Sequence, residues 1–90
     1  MPHFLVDYAF DPPINDVAFK GAFEALKPCL EVRNIRRLRS WLSDDRTRML
    51  CEYEATDTQS VRDAYRSANV PYVRVWSAQI FEFGPPTLNK

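Results

Sequence analysis

The hydrophobic and polar residues of the chain follow two different periods, and each change of period marks the boundary of a predicted element. Residues 3–10, "HFLVDYAF", form an apolar and aromatic run that ends at Asp11-Pro12-Pro13, which predicts a largely buried strand followed by a turn. From Asn15 onward, apolar residues recur three or four positions apart, which predicts an amphipathic helix whose start Asn15 or Asp16 can cap. Its apolar stripe consists of Phe19, Ala22, Phe23, Leu26 and Leu30. Pro28 removes one backbone donor, so we expect a kink in the last turns or a separate final turn over residues 29–33.

The middle of the chain changes to the period of two that is typical of strands. Residues 35–43 and 46–54 both alternate, and the polar segment Ser43-Asp44-Asp45-Arg46 between them predicts a tight turn. The two segments are therefore expected to form a hairpin.

A second helix and a last strand complete the pattern. Asp57 or Thr58 can cap the start of this helix. Its buried stripe consists of Val61, Ala64, Tyr65 and Ala68. Asn34 and Asn69 tolerate the left-handed backbone that closes a helix, so each is expected to end one of the two helices. Residues 72–83 are the predicted last strand, and residues 84–90 are a polar, proline-containing tail.

The order of the predicted elements is β-α-β-β-α-β over 90 residues. With right-handed crossovers, this order gives a four-stranded antiparallel sheet with both helices on one face. The predicted fold is therefore a ferredoxin-like α+β plait. The length is enough for one domain with a modest core, so we assign this domain to residues 1–83 and the tail to residues 84–90.

The alternation in the hairpin predicts which residues lie under the helices, because unpaired charges cannot be buried there. The residues expected under the helices are Phe4, Val6, Tyr8, Leu38, Leu42, Met49, Cys51 and Tyr53. The residues expected on the opposite side of the sheet, called the open face below, are His3, Leu5, Asp7, Arg37, Arg39, Trp41, Leu50, Glu52, Trp76 and Ile80.

The open face is too apolar to remain in water. Full burial of each large apolar side chain stabilises the protein by about 1.5–3 kcal/mol, whereas a surface ion pair contributes about 0.2–1 kcal/mol. A second copy packed sheet against sheet is the simplest cover, because twofold dimers dominate among small homo-oligomers. We therefore expect a homodimer through the open face, in the form of a dimeric α+β barrel with a polar-lined cavity between the two sheets.

The charge balance narrows the choice of partners. The chain has 12 Lys and Arg against 12 Asp and Glu, so it lacks the net positive charge of a dedicated nucleic-acid binder. No apolar run approaches the roughly 18 residues of a membrane span, and the N-terminus lacks the features of a signal peptide. We therefore expect a cytoplasmic protein without a membrane or nucleic-acid partner.

Six residues of the predicted open face form a candidate ligand site. They are Asp7, Arg37, Arg39, Trp41, Glu52 and Trp76. Guanidinium groups can bind a carboxylate through two hydrogen bonds, and tryptophan rings provide apolar walls, so the expected ligand is an anionic or carbonyl-bearing small molecule. The alternative is internal ion pairing that only neutralises the dimer interface. In that case the pairs are Arg39 with Glu52, and Arg37 with Asp7 or Glu54.

Three segments of the chain together resemble a known family. They are "MPHFLVDYAF" at residues 1–10, "RRLRSWLSDDRTRMLCEYEA" at residues 36–55 and "SVRDAYRSANVPYVRVW" at residues 60–76. In their order and spacing they resemble a short bacterial family of domains of unknown function that includes nickel-binding, nickel-responsive proteins. The resemblance implies a ferredoxin-like homodimer with a metal or a small ligand in the barrel, and it implies no known reaction.

One position departs from what the resemblance implies for a metal site. Members suited to metal tend to carry a histidine at the second-strand position held here by Arg39, and a guanidinium has no lone pair to donate. His3 is then the only imidazole, with Asp7 and Glu52 as the available oxygen ligands, whereas nickel or copper prefers several nitrogen donors. We therefore expect any nickel binding to be weak and to depend on His3.

Two other functions fit parts of the pattern. Dimeric α+β barrels host cofactor-independent isomerases and monooxygenases, and His3 and Glu52 are the open-face residues suited to proton transfer. RNA-recognition domains use the same face of the same fold, and the hairpin arginines with Trp41 could bind single-stranded RNA. The first and third strands disfavour RNA binding, because they offer aliphatic and acidic residues where aromatic ones are needed. No phosphate loop or nucleotide fingerprint identifies a cofactor.

Overall fold

Six elements follow the predicted order in the computed structural model, which describes residues 2–84. They are β1 (His3–Ala9), α1 (Asp16–Glu31), β2 (Arg36–Leu42), β3 (Arg48–Glu54), α2 (Thr58–Ala68) and β4 (Arg74–Ala78). Neither of these helices has the length and apolar content needed to cross a membrane. The predicted tail, apart from Gly84, lies outside the described residues.

The four strands form one antiparallel sheet in the order β2-β3-β1-β4. Side chains from one face of this sheet share a single core with side chains from both helices, so both helices cover the same face. The buried apolar residues are Phe4, Val6, Tyr8, Leu26, Leu30, Ile35, Met49, Cys51, Tyr53, Ala55, Val61, Ala64, Tyr65 and Val75. The predicted ferredoxin-like α+β fold is confirmed, while the dimeric barrel concerns a second copy and stays a prediction.

Polar side chains cap the starts of both helices as predicted. The Asn15 side chain accepts a hydrogen bond from the amide of Ala18 at 2.8 Å and thereby caps α1. The Asp57 side chain accepts one from the amide of Ser60 at 2.8 Å and caps α2. Each cap satisfies an amide that has no partner inside its helix.

Left-handed asparagines lie at the ends of both helices. Asn34 and Asn69 have φ angles of 58° and 57°, a region that few residues other than glycine adopt readily. The turn at Asn34 lets the amide of Ile35 donate to the carbonyl of Leu30 at 3.0 Å. This backbone arrangement ends α1 and directs the chain into β2.

The helix α1 continues through Pro28 to Glu31, so the predicted separate turn over residues 29–33 does not form. Proline removes one amide donor, but its carbonyl still accepts a hydrogen bond. The amide of Val32 donates to the carbonyl of Pro28 at 3.1 Å. Helical hydrogen bonding therefore resumes immediately after the proline.

A register shift in β2 changes the face on which Arg37 lies. Arg37 pairs with Tyr53, and the next pair joins Arg39 to Glu52, so Leu38 is an extra residue in β2. Arg37 therefore lies on the helix side with Tyr53, whereas Arg39 lies on the open face. The predicted open-face position of Arg37 is wrong, because strict alternation cannot account for an inserted residue.

The last strand is shorter than the predicted range of residues 72–83. In β4, the pairing with β1 ends where Ala78 faces His3, the first residue of β1. Beyond that point no strand is available to accept or donate hydrogen bonds, so the chain leaves the sheet. The side chains of Phe81 and Phe83, which follow β4, are 74% and 89% exposed.

Candidate functional site

The open face combines large apolar side chains with charged ones. The pairing of the strands places on it His3, Leu5, Asp7, Arg36, Arg39, Trp41, Leu50, Glu52, Glu54, Arg74 and Trp76. Of the predicted site residues, Asp7, Arg39, Trp41, Glu52 and Trp76 lie on this face. Their role in ligand binding stays a prediction. Trp41 and Trp76 remain 52% and 41% exposed.

Glu52 is at the centre of the polar part of this face. It is 5% exposed and is the only buried charged residue of residues 2–84. One carboxylate oxygen lies 2.8 Å from Nε of Arg39, and the other lies 3.2 Å from Nδ1 of His3. A buried carboxylate requires such partners, since burial of an unpaired charge costs several kcal/mol. The predicted pairing of Arg39 with Glu52 is confirmed.

His3 connects Glu52 to a second acid, Glu54. Nε2 of His3 lies 3.6 Å from one oxygen of Glu54, and Nη1 of Arg36 lies 3.0 Å from the other oxygen. Arg36 and Glu54 were not among the predicted site residues. Glu54 could have been found from its spacing, because it lies two residues after Glu52 on the same strand and therefore on the same face. The result is a continuous row of side chains, Arg39–Glu52–His3–Glu54–Arg36, with a guanidinium group at each end.

Asp7 forms a separate polar group with residues of β4. One oxygen of its carboxylate accepts hydrogen bonds from Nε of Arg74 at 2.7 Å and from the indole N–H of Trp76 at 3.0 Å. The hydrogen bond from Arg74 is the main reason why the pKa of Asp7 lies below its usual range. The alternative pairing of Asp7 with Arg37 is therefore wrong, because Arg74 faces Asp7 across the strands and Arg37 lies on the helix side.

A depression in the open face, called the open-face depression below, combines the polar residues around Glu52 with apolar walls. It has a volume of about 320 Å³. It is lined by His3, Leu5, Arg39, Trp41, Leu50, Glu52 and residues 78–82. Arg39 approaches Glu52 through Nε, and more than half of its side chain is exposed. Its terminal nitrogens are therefore available to a carboxylate or carbonyl oxygen beside the Trp41 ring.

A larger cavity on the helix side offers fewer groups that could orient a ligand. It has a volume of about 420 Å³ and lies among the β1–α1 loop, the first turns of α1 and Val70-Pro71. Two of its polar side chains are already engaged: Asn15 caps α1, and the hydroxyl of Tyr8 is hydrogen-bonded to that of Tyr65. Ligand sites need a few well-placed polar groups, which favours the open-face depression.

The open face does not provide the donor set of a nickel site. Within residues 2–84, no group of three or more His, Cys, Asp or Glu residues is placed to hold a metal ion. His3 lies between Glu52 and Glu54, but Arg39 and Arg36 already hold those two carboxylates. A metal cation would have to compete with both guanidinium groups and would gain one imidazole nitrogen.

Comparisons with known proteins agree with this architecture. A family model described as nickel responsive protein SCO4226-like matches residues 4–77. The crystal structure of SCO4226 from Streptomyces coelicolor A3(2) is similar, with a TM-score of 0.77 and 14% sequence identity. The similarity covers 89% of this chain and 99% of that chain. At this level of identity, the similarity shows a shared fold. No curated protein sequence matches the chain.

Proposed function

The chain belongs to the family of nickel-responsive SCO4226-like proteins, and on this basis we propose that it is a small homodimeric protein that binds an organic anion in the open-face depression. The observation that carries the proposal is the exposed guanidinium of Arg39, held at 2.8 Å by the buried carboxylate of Glu52. The expected ligand is a small carboxylate or another molecule with a carbonyl oxygen. Its apolar part would contact Trp41 and Leu50.

The geometry around Arg39 supports this choice of ligand. Because Glu52 holds Nε of Arg39, the guanidinium loses little further conformational freedom when it binds a ligand oxygen. The volume of about 320 Å³ is at the small end of ligand sites, which favours a ligand of few heavy atoms. Residues 79–82 form one wall of the depression and place Ile80 and Phe81 beside it.

A second copy of the chain would complete the site. Trp41 and Trp76 expose about half of their surface on the open face, and Ile80 is 45% exposed beside it. Packing two open faces together removes this apolar surface from water and encloses both depressions between the sheets. The charged row from Arg39 to Arg36 would then line the shared interior of the dimer.

Nickel is a poor fit to this chain despite the description of its family. The two carboxylates beside His3 are held by arginines, and the residues described include no second histidine. An organic anion, in contrast, is attracted by the same guanidinium group that opposes a metal cation. The proposal therefore places an anion, and not a metal ion, beside Arg39.

A second candidate function is proton transfer to a bound ligand, as in a cofactor-independent isomerase or monooxygenase. It is favoured by one observation: His3 lies 3.2 Å from Glu52, and both residues line the open-face depression. A histidine next to a carboxylate can act as a general base near neutral pH. Turnover of a bound carbonyl compound that is lost in His3→Gln, with binding retained, would favour this function.

The binding proposal is tested by NMR titration of the untagged protein with acetate, succinate and benzoate. We expect amide shifts concentrated at Arg39, Trp41 and residues 79–82. The double variant Arg39→Met with Glu52→Leu should fold and lose these shifts, because it replaces the ion pair with two apolar side chains. The variant Arg62→Met, which removes an exposed arginine from α2, should keep them. Absence of saturable shifts at millimolar ligand, or equal shifts in the double variant, would exclude the proposal.

A further inference from the structure

The inserted residue in β2 turns Arg37 away from the open face and into an aromatic environment. Its Cζ lies 4.1 Å from the ring centroid of Phe23 and 5.9 Å from that of Tyr53. Two of its nitrogens, Nε and Nη2, are buried and have no hydrogen-bond partner among residues 2–84. No carboxylate of these residues lies within 4 Å of the guanidinium. Among residues 2–84, Arg37 is thus a partly buried cation without a counter-charge.

The contact with the Phe23 ring compensates only part of the cost of this burial. Cation–π contacts stabilise weakly compared with the penalty for removing an unpaired charge from water. Unsatisfied N–H groups add a further penalty, because each has lost its hydrogen bonds to water. A group that accepts hydrogen bonds and carries negative charge would relieve both penalties at once.

The two nitrogens without partners define the shape of such a group. Nε and Nη2 form the edge of the guanidinium on which two N–H groups point in parallel. That edge binds two oxygens of one carboxylate or phosphate with two parallel hydrogen bonds. A water molecule could accept hydrogen bonds from this edge but would bring no negative charge.

A depression at the sheet edge gives access to this side of β2. It has a volume of about 480 Å³ and is called the edge depression below. It is lined by Lys27, Leu30, Glu31, Ile35, Arg36 and Arg37. Arg36 is paired with Glu54. The other charged residues of the edge depression are Arg37, Lys27 and Glu31, and together they carry a net positive charge. The carbonyl end of α1 opposes an anion here, but the effect of a helix end is small and is screened by salt.

We propose that Arg37 and Lys27 form a second binding site, in the edge depression, for a small oxyanion such as phosphate or a carboxylate. Arg37 would contact the anion with its Nε and Nη2 edge, after rotation of its terminal torsions towards the edge depression. Lys27 would add a second positive charge at the rim. The site lies on the opposite side of β2 from Arg39 and is independent of the open-face depression.

Thermal unfolding at constant ionic strength tests this site, with sodium chloride replaced by phosphate or by acetate. A ligand that binds only the folded chain raises its midpoint. At 20 mM phosphate we expect a rise of about 5 °C in the wild type. The rise should vanish in Arg37→Met, shrink in Lys27→Met and remain in Arg62→Met. The relative effects of phosphate and acetate identify which oxyanion the site prefers.

A control variant separates this site from the open-face depression. Arg39→Met with Glu52→Leu should retain the full effect of phosphate, so failure of one site does not affect the test of the other. If Arg37→Met does not fold, Arg37→Lys takes its place: it keeps the charge but removes the two parallel donors, and should lose most of the rise. No rise in the wild type, or an equal rise in the Arg37 variant, would overturn the proposal.

Discussion

Arg39 and Glu52 differ in exposure, so removal of one member of the ion pair should affect stability differently from removal of the other. The side chain of Glu52 is 7% exposed, whereas that of Arg39 is 57% exposed. Removal of Arg39 leaves a buried carboxylate with only His3 beside it. Neutralisation of Glu52 leaves a guanidinium that can turn towards water.

We therefore expect Arg39→Met to lower the free energy of unfolding by about 2–3 kcal/mol and Glu52→Gln by about 1 kcal/mol. The double variant Arg39→Met with Glu52→Leu should recover most of the loss, because no unpaired charge remains buried. Urea unfolding of the wild type and the variants measures the coupling between the two positions. If the double variant is as unstable as the sum of Arg39→Met and Glu52→Leu measured singly, the two residues are not coupled.

Asp7 links the stability of the fold to pH. The hydrogen bond from Arg74, supported by that from Trp76, lowers the pKa of Asp7 in the folded protein. The resulting stabilisation is present above the pKa of the unfolded chain, about 3.9, and is lost as the pH falls through the lower folded value. Asp7→Asn should therefore lose less stability than the wild type on acidification below about pH 4.

Thermal unfolding at a series of pH values measures this difference. Asp63→Asn is a suitable control, because the ion pair of Asp63 with Arg66 lies on the surface of α2. The control should follow the pH profile of the wild type. An Asp7→Asn profile that runs parallel to the wild type at acid pH would contradict the conclusion that folding lowers the pKa of Asp7.

Among the elements, β2 offers the clearest test of the observed register. Because Leu38 is the extra residue, its deletion should restore regular alternation and leave Arg37 and Arg39 on their present faces. We expect the deletion to lower the free energy of unfolding by less than about 2 kcal/mol, mainly through loss of one half-buried side chain. Deletion of Ser40 should be far more damaging, because Arg39 would then take the place opposite Cys51 on the helix side, where its charge has no partner.

Thermal unfolding and the dispersion of amide signals compare the two deletions. A Leu38 deletion as damaging as the Ser40 deletion would show that the inserted residue does not lie at this position. In that case the separation of Arg37 from Arg39 would also be wrong.

At the scale of the whole molecule, the apolar open face predicts a homodimer. Sedimentation equilibrium at micromolar concentration should show twice the mass of the chain. Trp41→Glu should dissociate the dimer into folded monomers, because it places a charge in an apolar interface. Val17→Glu is a matched control: Val17 is 83% exposed on α1, and the dimer should survive its replacement. A well-folded wild-type monomer at this concentration would refute the prediction.

The arginines of the open face also predict weak nickel binding by the whole protein. Both carboxylates beside His3 are held by guanidinium groups, so nickel has one imidazole and must displace a cation. Titration calorimetry of untagged protein should show an affinity no tighter than micromolar, lost in His3→Ala. Submicromolar affinity that persists in His3→Ala would mean that nickel binds elsewhere.

The sequence by itself determined the elements, their order and most of the buried face. These features depend on residues a few positions apart: the caps Asn15 and Asp57, the left-handed Asn34 and Asn69, and the two periods of apolar residues. The hairpin pattern placed Arg39 and Glu52 on one face and left their pairing as one of two alternatives, and the register of β2 with β3 decided it.

Only the tertiary structure decided the face of Arg37, the partner of Asp7 and the end of β4. An inserted residue such as Leu38 is visible only against the partner strand, since the sequence of β2 alternates in much the same way with or without it. Arg74 lies 67 positions from Asp7, and β4 ends where β1 begins. The register between strands far apart in the chain is a property of the pair, set by hydrogen bonds and packing in the folded sheet, and no local period encodes it.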